Sequence, residues 1–511
     1  MKLFKKTLLA LLAVLLLFIA FLVFNTLTLK SKQLTFGAIE KIEVNPLSKT
    51  NFSNAIKIKT ISPENAADFD SLAFDQFNIF LQETYPFVDS LLEHKTFNSY
   101  SHLYKWEGSD KSLKPALFIA HLDVVPVTEE NLPNWKHAPF GGEIVNDTIW
   151  GRGTIDDKIG VVGLMESVEL LLKSNYTPKR TIYLGFGHDE EIGGANGATF
   201  IAQYLKEEGV SLEFVMDEGG TISQGLVPGI DKDVALIGTA EKGFVTAELS
   251  VDMQGGHSSQ PDKETNIDVL ANAIVKLKKN PFPARIPSVV GKMMEYLGSE
   301  FPFTTRMVAA NQKLLGFLFI AVSESTPQGN ANVRTTTAPT IFHSGVKENV
   351  LPPVANASVN FRILPGESSS SVLERVKETV NDERIKIEKG GNFTTEPSKI
   401  SGTETMGFLA IQKTILEVFP GTLVSPYLVI GGTDSRHYGE ITDDIYRFGS
   451  VKLHKQNIKS FHGINELTSG TREFENLSVF YHQLITECFG SNGFFNQLPC
   501  SCFKSIFLTL V

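Results

Sequence analysis

Two glutamates stand side by side in Gly185-Phe186-Gly187-His188-Asp189-Glu190-Glu191-Ile192-Gly193-Gly194, between the apolar run Thr181 to Phe186 and a glycine-rich turn. Adjacent carboxylates on a solvated surface carry no message. At the end of a buried strand they are costly unless something positive holds them. A metal site answers that cost: one carboxylate binds the cation and the other stays free to move protons. The chain must then supply more oxygen and nitrogen ligands elsewhere.

Candidates for that role recur along the sequence. His121-Leu122-Asp123 closes an apolar run, and residues two apart on a strand point the same way. Asp123 is therefore placed to accept the second imidazole N–H of His121 and fix its tautomer. Gly151-Arg152-Gly153-Thr154-Ile155-Asp156-Asp157-Lys158 precedes a helical pattern. Phe214-Val215-Met216-Asp217-Glu218-Gly219-Gly220 again sets carboxylates at a strand end before glycines, and Phe461-His462-Gly463-Ile464-Asn465-Glu466 offers a second histidine. Neighbours on a strand point oppositely, so only one of Asp217 and Glu218 should reach a metal, and Glu218 is the preferred one. The steps from His121 to Asp156, Asp156 to Glu191 and Glu191 to Glu218 are 35, 35 and 27 residues. Such steps fit successive strand–helix units that deliver ligands to one sheet edge. Five ligands suit two metals sharing one carboxylate.

The elements that must position these groups follow from hydrophobic period. Short buried strands at 116–121, 181–186 and 213–216 alternate with helical stretches at 160–173, read as amphipathic, and 199–208. Alternation of this kind predicts a three-layer α/β catalytic domain, with ligands at the strand carboxyl ends. The pattern changes near Gly243. Strands at 244–253, 337–342, 357–364 and 385–389 and helices at 267–279 and 369–381 read as an inserted α+β lid domain. Residues 281–328 are an extra segment whose apolar stretch 314–322 is expected to be helical. After about Pro397 the α/β pattern resumes, with a helix at 406–418, strands at 423–430 and 444–448 and a last helix at 478–486. The expected domains are a membrane signal segment (1–30), the catalytic domain in two parts (35–243 and 390–488), the lid (244–389) and an apolar tail of no assigned role (489–511).

Bulk numbers narrow the function. The chain has 511 residues, 42% hydrophobic and 20% charged, with a net charge of −10. That balance speaks against nucleic acid as a partner. The three cysteines, Cys488, Cys500 and Cys502, all lie near the carboxyl end, so the body has neither a disulfide framework nor a thiolate metal site. A metal must be held by His, Asp and Glu, which suits zinc first. Lys2, Lys5 and Lys6 precede the apolar run Leu8 to Phe24, about the length of a spanning helix, with no small-residue cleavage site behind it. An uncleaved signal anchor with the rest of the chain outside the cytoplasm is the first reading. A cleaved signal peptide, leaving a secreted or vacuolar protein, is the second.

With its motifs in this order, His-x-Asp-Val-Val-Pro, Gly-Arg-Gly-Thr-x-Asp-Asp-Lys, Gly-His-Asp-Glu-Glu-x-Gly-Gly, Asp-Glu-Gly-Gly and a late His, the chain closely resembles the M20 family of zinc peptidases and amidohydrolases over about residues 50 to 488. The resemblance implies a ferredoxin-like lid and two zinc ions per subunit. His121 and one acid of Asp217-Glu218 would hold one ion, and Glu191 and His462 the other. Asp156 would bridge both, its bond to Asp157 cis. Asp123 would orient His121, and Glu190 would be the general base. In the lid, His257 within Gly255-Gly256-His257-Ser258-Ser259, Asn349 and Arg362 match substrate-binding positions. So does Arg436, for which a structural ion pair is the equal alternative. A homodimer through the lid is also implied. The expected activity is hydrolysis of an amide next to a free α-carboxylate. Its first form is a Gly-Xaa carboxypeptidase on short peptides, and its alternative an N-acyl amino acid amidohydrolase/synthase. A non-catalytic binding protein would have lost part of this set, and here all of it is present.

Overall fold

The computed structural model describes residues 2–468 and 470–490. The apolar tail read from residue 489, with Cys500 and Cys502, lies outside the described residues from 491 onward. The chain divides into two units: residues 32–239, 400–427 and 433 onward form one, and residues 1–31, 240–399 and 428–432 the other.

The first unit is organised by short, fully buried strands. Ala116–His121, Ile182–Gly187, Phe214–Asp217 and Ile445–Arg447 run parallel as neighbours at the centre of a ten-stranded mixed sheet. Strands buried on both faces read as continuous apolar runs, and these do. Alternate residues feed two layers. Leu117 and Ile119 join Tyr183, Val215, Ile201 and Leu205 on the side of the Ala198–Glu207 helix. Phe118 points the other way, edge-on to Phe214, Tyr481 and Phe489. Two strands, Glu93–Phe97 and Ser101–Trp106, extend the sheet antiparallel from Ile182–Gly187.

Two helices differ from the sequence expectation. The Lys158–Lys173 helix is not amphipathic in use; all but two of its residues are buried. Its interior charges are satisfied locally. Glu166 accepts from Asn45, Asn51 and the Tyr85 hydroxyl, and Glu169 accepts the Phe87 and Val88 amides, each at 3.0 Å. Gly163 lets Leu477 of the last helix approach, since a Cβ there would meet it at 3.1 Å. That last helix spans Thr471–Phe489, starting well before 478. Its first turns, Thr471-Arg-Glu-Phe-Glu-Asn, are too polar to show an apolar period.

The second unit holds an antiparallel sheet of four strands, Thr336–Ser344, Val354–Ile363, Gly243–Asp252 and Ile385–Thr395 in spatial order. Val245, Ala247, Leu249 and Val251 share one face with Ala355, Ala357, Val359, Phe361 and Ile363, and the helices Asn266–Lys279 and Ser369–Val380 cover it. Chain order β-α-β-β-α-β with this strand order is the ferredoxin-like arrangement. The extra segment is richer than the single helix expected there, with helices at Ser288–Leu297, Phe303–Ala310, Gln312–Ser323 and Pro327–Val333. The N-terminal helix, Lys2–Leu27, groups with this unit and exposes nearly its whole surface.

Truncating Phe118 empties the aromatic contact beneath the parallel strands. Phe118→Ala is expected to cost roughly 3–5 kcal/mol, read as a lower denaturant midpoint at unchanged slope. A shift within about 0.5 kcal/mol of the parent would contradict this packing.

Candidate metal centre

The parallel strands end where the chemistry-bearing residues begin. His121 is the last residue of its strand, and Asp123 follows two positions on. After the Ile182–Gly187 strand the chain makes one 3-10 turn, Glu190–Ile192. Glu218 follows the last residue of Phe214–Asp217, and Asp156 sits just before the Lys158–Lys173 helix. The Asp156–Asp157 peptide is cis. His462 comes from the loop before the last helix, at φ +55°.

These ends converge on two clusters that share Asp156. His121, Asp156 and Glu218 form one, and Asp156, Glu191 and His462 the other; in each, the potential ligand atoms lie within 4.8 Å of one another. His121 Nε2 is 2.8 Å from Asp156 Oδ1 and 3.9 Å from Glu218 Oε1. His462 Nε2 is 2.7 Å from Asp156 Oδ2 and 3.3 Å from Glu191 Oε2. Each oxygen of Asp156 therefore faces a different cluster.

The electrostatics show what the clusters lack. Burial drives the Glu218 and Glu190 carboxyls well above the usual carboxylate range, with neighbouring carboxylates adding to the rise. Burial raises Glu191 too, and its Oε1 is buried without a hydrogen-bond partner. Asp156 moves down: burial opposes its charge, but hydrogen bonds from His121 and His462 outweigh it. His462 is held up at about 10 by its bonds to Asp156 and Glu191. Burial alone would lower His121, yet Asp123 and Asp156 lift it well above the ordinary value. Two imidazoles are thus pressed to keep protons, and several acids to take them. Positive charge is what the donor set demands, and its mix of imidazole nitrogen and carboxylate oxygen fits divalent cations of the zinc type.

Asp123 orients the site from behind. His121 Nδ1 lies 3.0 Å from the Asp123 backbone carbonyl and 3.3 Å from its Oδ1. The same carboxylate accepts the amide N–H groups of Glu190 and Glu191, each at 3.1 Å. One side chain therefore fixes a histidine and the turn that carries both glutamates. Asp217 belongs to neither cluster, whereas Glu218 joins His121 and Asp156. Asp217 instead accepts the Glu218 amide and the Ser435 amide, each at 2.8 Å, holding the 433–438 loop. From that loop Arg436 Nη1 comes within 3.6 Å of Glu190 Oε1. The buried Asp434 carboxyl, pushed up to about 8 by burial, presses on two glycines of the Glu190 segment. A Cβ at Gly187 would meet it at 2.6 Å, and one at Gly194 would collide outright.

The lid candidates lie in the other unit. His257 pairs with Val350 in a two-stranded ribbon, and the Ser258 N–H donates to the Asn349 carbonyl, so His257 and Asn349 are neighbours there. His257 is exposed, with Nδ1 2.8 Å from Ser259 Oγ. Arg362 lies on Val354–Ile363 with its guanidinium 4.7 Å over the Phe244 ring. None of the three belongs to the two clusters.

Two residues that the sequence reading left without a role hold the loops together. Glu466 is fully buried. Its Oε1 accepts from the amides of Gly153, Ile155 and Asp156 at 3.1, 2.8 and 3.3 Å, and its Oε2 pairs with Arg152 Nη1. Arg152 Nη2 donates on to the carbonyls of His462 and Gly463. This pair ties Asp156, the residue both clusters share, to His462, 306 residues away in the chain. The only sequence signal was an acid four positions after the late histidine.

Neutralising Glu466 should loosen both Asp156 and His462 without removing either. Glu466→Gln is expected to weaken metal binding roughly tenfold to a hundredfold, measured by chelator competition, with thermal unfolding followed in parallel. Unchanged metal affinity in a folded variant would show that the pair does not position the ligands.

Comparison with known proteins agrees with this geometry. The family model described as Peptidase family M20/M25/M40 matches residues 117–487. The chain is 39% identical over 442 residues to an N-fatty-acyl-amino acid synthase/hydrolase, PM20D1.1, of Danio rerio, covering 85% of this chain and 84% of that one. It is 38% identical over 475 residues to probable carboxypeptidase S-like 2 of Dictyostelium discoideum, covering 91% of each. Its fold superposes on the M20 family metallo-carboxypeptidase Sso-CP2 from Sulfolobus solfataricus with a TM-score of 0.63 at 19% identity, over 86% of this chain and 98% of that one. A metal-demanding cluster pair at the carboxyl edge of a mixed sheet and a matching family model across most of the chain lead to one conclusion: the protein belongs to peptidase family M20/M25/M40 and is a metallohydrolase of its carboxypeptidase/amidohydrolase kind.

Proposed function

We propose that the protein hydrolyses an amide bond whose amine side carries a free α-carboxylate, using two zinc ions shared through Asp156. The observation that carries this reading is the pair of clusters meeting at Asp156, with the Glu190 carboxyl beside them. His121 and Glu218 would hold one ion, and Glu191 and His462 the other. Bound there, the ions supply Lewis acidity toward the scissile carbonyl and an acidified water. Glu190 takes a proton from the attacking water and returns it to the leaving amine. Arg436, now 3.6 Å from Glu190, supplies a fork suited to a carboxylate, and the substrate's α-carboxylate is its proposed partner. His257, Asn349 and Arg362 are proposed to complete substrate binding from the lid.

On the acyl side the first reading is a short peptide, making the protein a Gly-Xaa carboxypeptidase. The second is a long-chain N-acyl amino acid, favoured by the similarity to the N-fatty-acyl-amino acid synthase/hydrolase of Danio rerio. Both present the same amine-side end. The N-terminal helix is proposed as an uncleaved anchor that sets the enzyme at an extracytoplasmic membrane face.

Glu190→Gln should lower kcat by roughly a hundredfold to ten-thousandfold while zinc content, read by elemental analysis, stays at the parent level. Wild-type turnover in that variant would refute the mechanism. With the parent protein, chelator is expected to abolish hydrolysis and zinc to restore it. The ratio of kcat/KM for Gly-Leu to that for N-oleoyl-leucine then assigns the acyl side, and no chelator-sensitive hydrolysis of either would overturn the proposed reaction.

A further inference from the structure

The Gln312–Ser323 helix has two apolar faces, and the fold uses one. Phe319 packs toward the buried cluster of Ala240, Val289, Val290, Leu364 and Leu428. The opposite stripe is Leu314, Phe317, Leu318, Ala321 and Val322, spaced i, i+3, i+4, i+7 and i+8. All five are exposed, Phe317 at 63% and Val322 at 72%. Single exposed apolar residues are ordinary, but a continuous stripe along a helix marks a surface that something covers.

The neighbouring element indicates what covers it. Asn311, immediately before this helix, is buried and grips the N-terminal helix. It accepts a hydrogen bond from Asn25 Nδ2 at 2.9 Å and donates to the Leu22 carbonyl at 3.2 Å. Leu22 and Thr26 are the buried residues of the N-terminal helix. The apolar run Leu8 to Phe24 is 17 residues, a rise of about 25 Å against a hydrocarbon core of about 30 Å. If that run spans a bilayer, Leu22 and Asn25 sit at its far boundary, and Asn311 is fixed at the same depth. The Gln312–Ser323 helix starts there. At 12 residues, about 18 Å, it is too short to span, and its exposed stripe contains no charge. Lys30 and Lys32 follow the run, suited to the headgroup layer.

We propose that the Gln312–Ser323 helix lies in the membrane interface, its Leu314–Val322 stripe sunk among the lipids of the leaflet from which the N-terminal helix emerges. The occupant of this apolar face is thus a lipid bilayer. The inference rests on the anchor reading above and adds a second, in-plane membrane contact made by the lid unit.

Tryptophan fluorescence in the full-length protein tests it. The protein is reconstituted in phosphatidylcholine nanodiscs with or without lipids brominated on the acyl chain. Three forms are compared: the parent, Phe317→Trp, and Phe18→Trp, which reports the N-terminal helix. The added emission of Phe317→Trp is expected to be blue-shifted and to lose intensity with brominated lipid, as is that of Phe18→Trp, while the parent's stays unchanged. Quenching of the Phe18→Trp emission alone would overturn the proposal and leave the anchor standing. A blue shift at position 317 without lipid quenching would overturn it in favour of a protein partner, a second copy included. Quenching at neither position would remove the anchor and the proposal together.

Discussion

Too much negative charge in too little water is the constraint around which the catalytic unit is built. Asp123, Asp156, Glu190, Glu191, Glu218 and Asp434 all carry their carboxyls into one buried region at the sheet's carboxyl edge. Burial pushes Glu190, Glu191, Glu218 and Asp434 toward their neutral forms. The fold settles the acids that must stay put with its own donors. Asp123 and Asp217 receive backbone amides, and Arg436 stands by Glu190. Asp156, Glu191 and Glu218 are left with two imidazoles, one of which is already committed to Asp123. Cations would balance that set without protonating it. The need for metal is therefore a property of the apoprotein's charge arrangement as well as of its family.

A site under such strain needs loops that cannot drift. The Glu466–Arg152 pair is buried, and a buried ion pair is weak evidence of stability in itself. Its value here lies in what else the two side chains touch. Five backbone groups, the amides of Gly153, Ile155 and Asp156 and the carbonyls of His462 and Gly463, end on these side chains. Asp123 does the same for the Glu190–Glu191 turn, and Asp217 for the loop carrying Arg436. Acids outside both clusters thus do the aligning, each by accepting amides from a neighbouring loop.

How much of this could be read in advance depends on the distance over which each signal acts. His121, Glu191 and Glu218 were legible because each follows a short apolar run, and a run's end is visible locally. The strand alternation at Asp217-Glu218 separated the two side chains, and Glu218 is the one that joins His121 and Asp156. Asp123 was legible toward His121, but its two amide contacts were not, because they join residues 67 and 68 positions away. Glu466 stood in plain view and had no role, since its partners lie over 300 residues upstream. The Lys158–Lys173 helix misled for a related reason: Glu166 and Glu169 look like a solvated face until Asn51, Tyr85 and the Phe87 amide are seen to meet them. Periodicity reports composition along a helix, and only the tertiary neighbours say whether polarity means solvent.

The order of the ligands along the chain carries a further consequence. Four come from residues 121 to 218, and then the chain leaves for the four-stranded unit before returning at residue 400. Only after that return are Arg436 and His462 supplied, and with them Glu466, which fastens Asp156. The first half of the catalytic unit therefore holds the larger share of the buried carboxylates without their last imidazole or the pair that aligns them. Metal binding would therefore be coupled to closure of the sheet edge, because these donors become neighbours only as the fold completes.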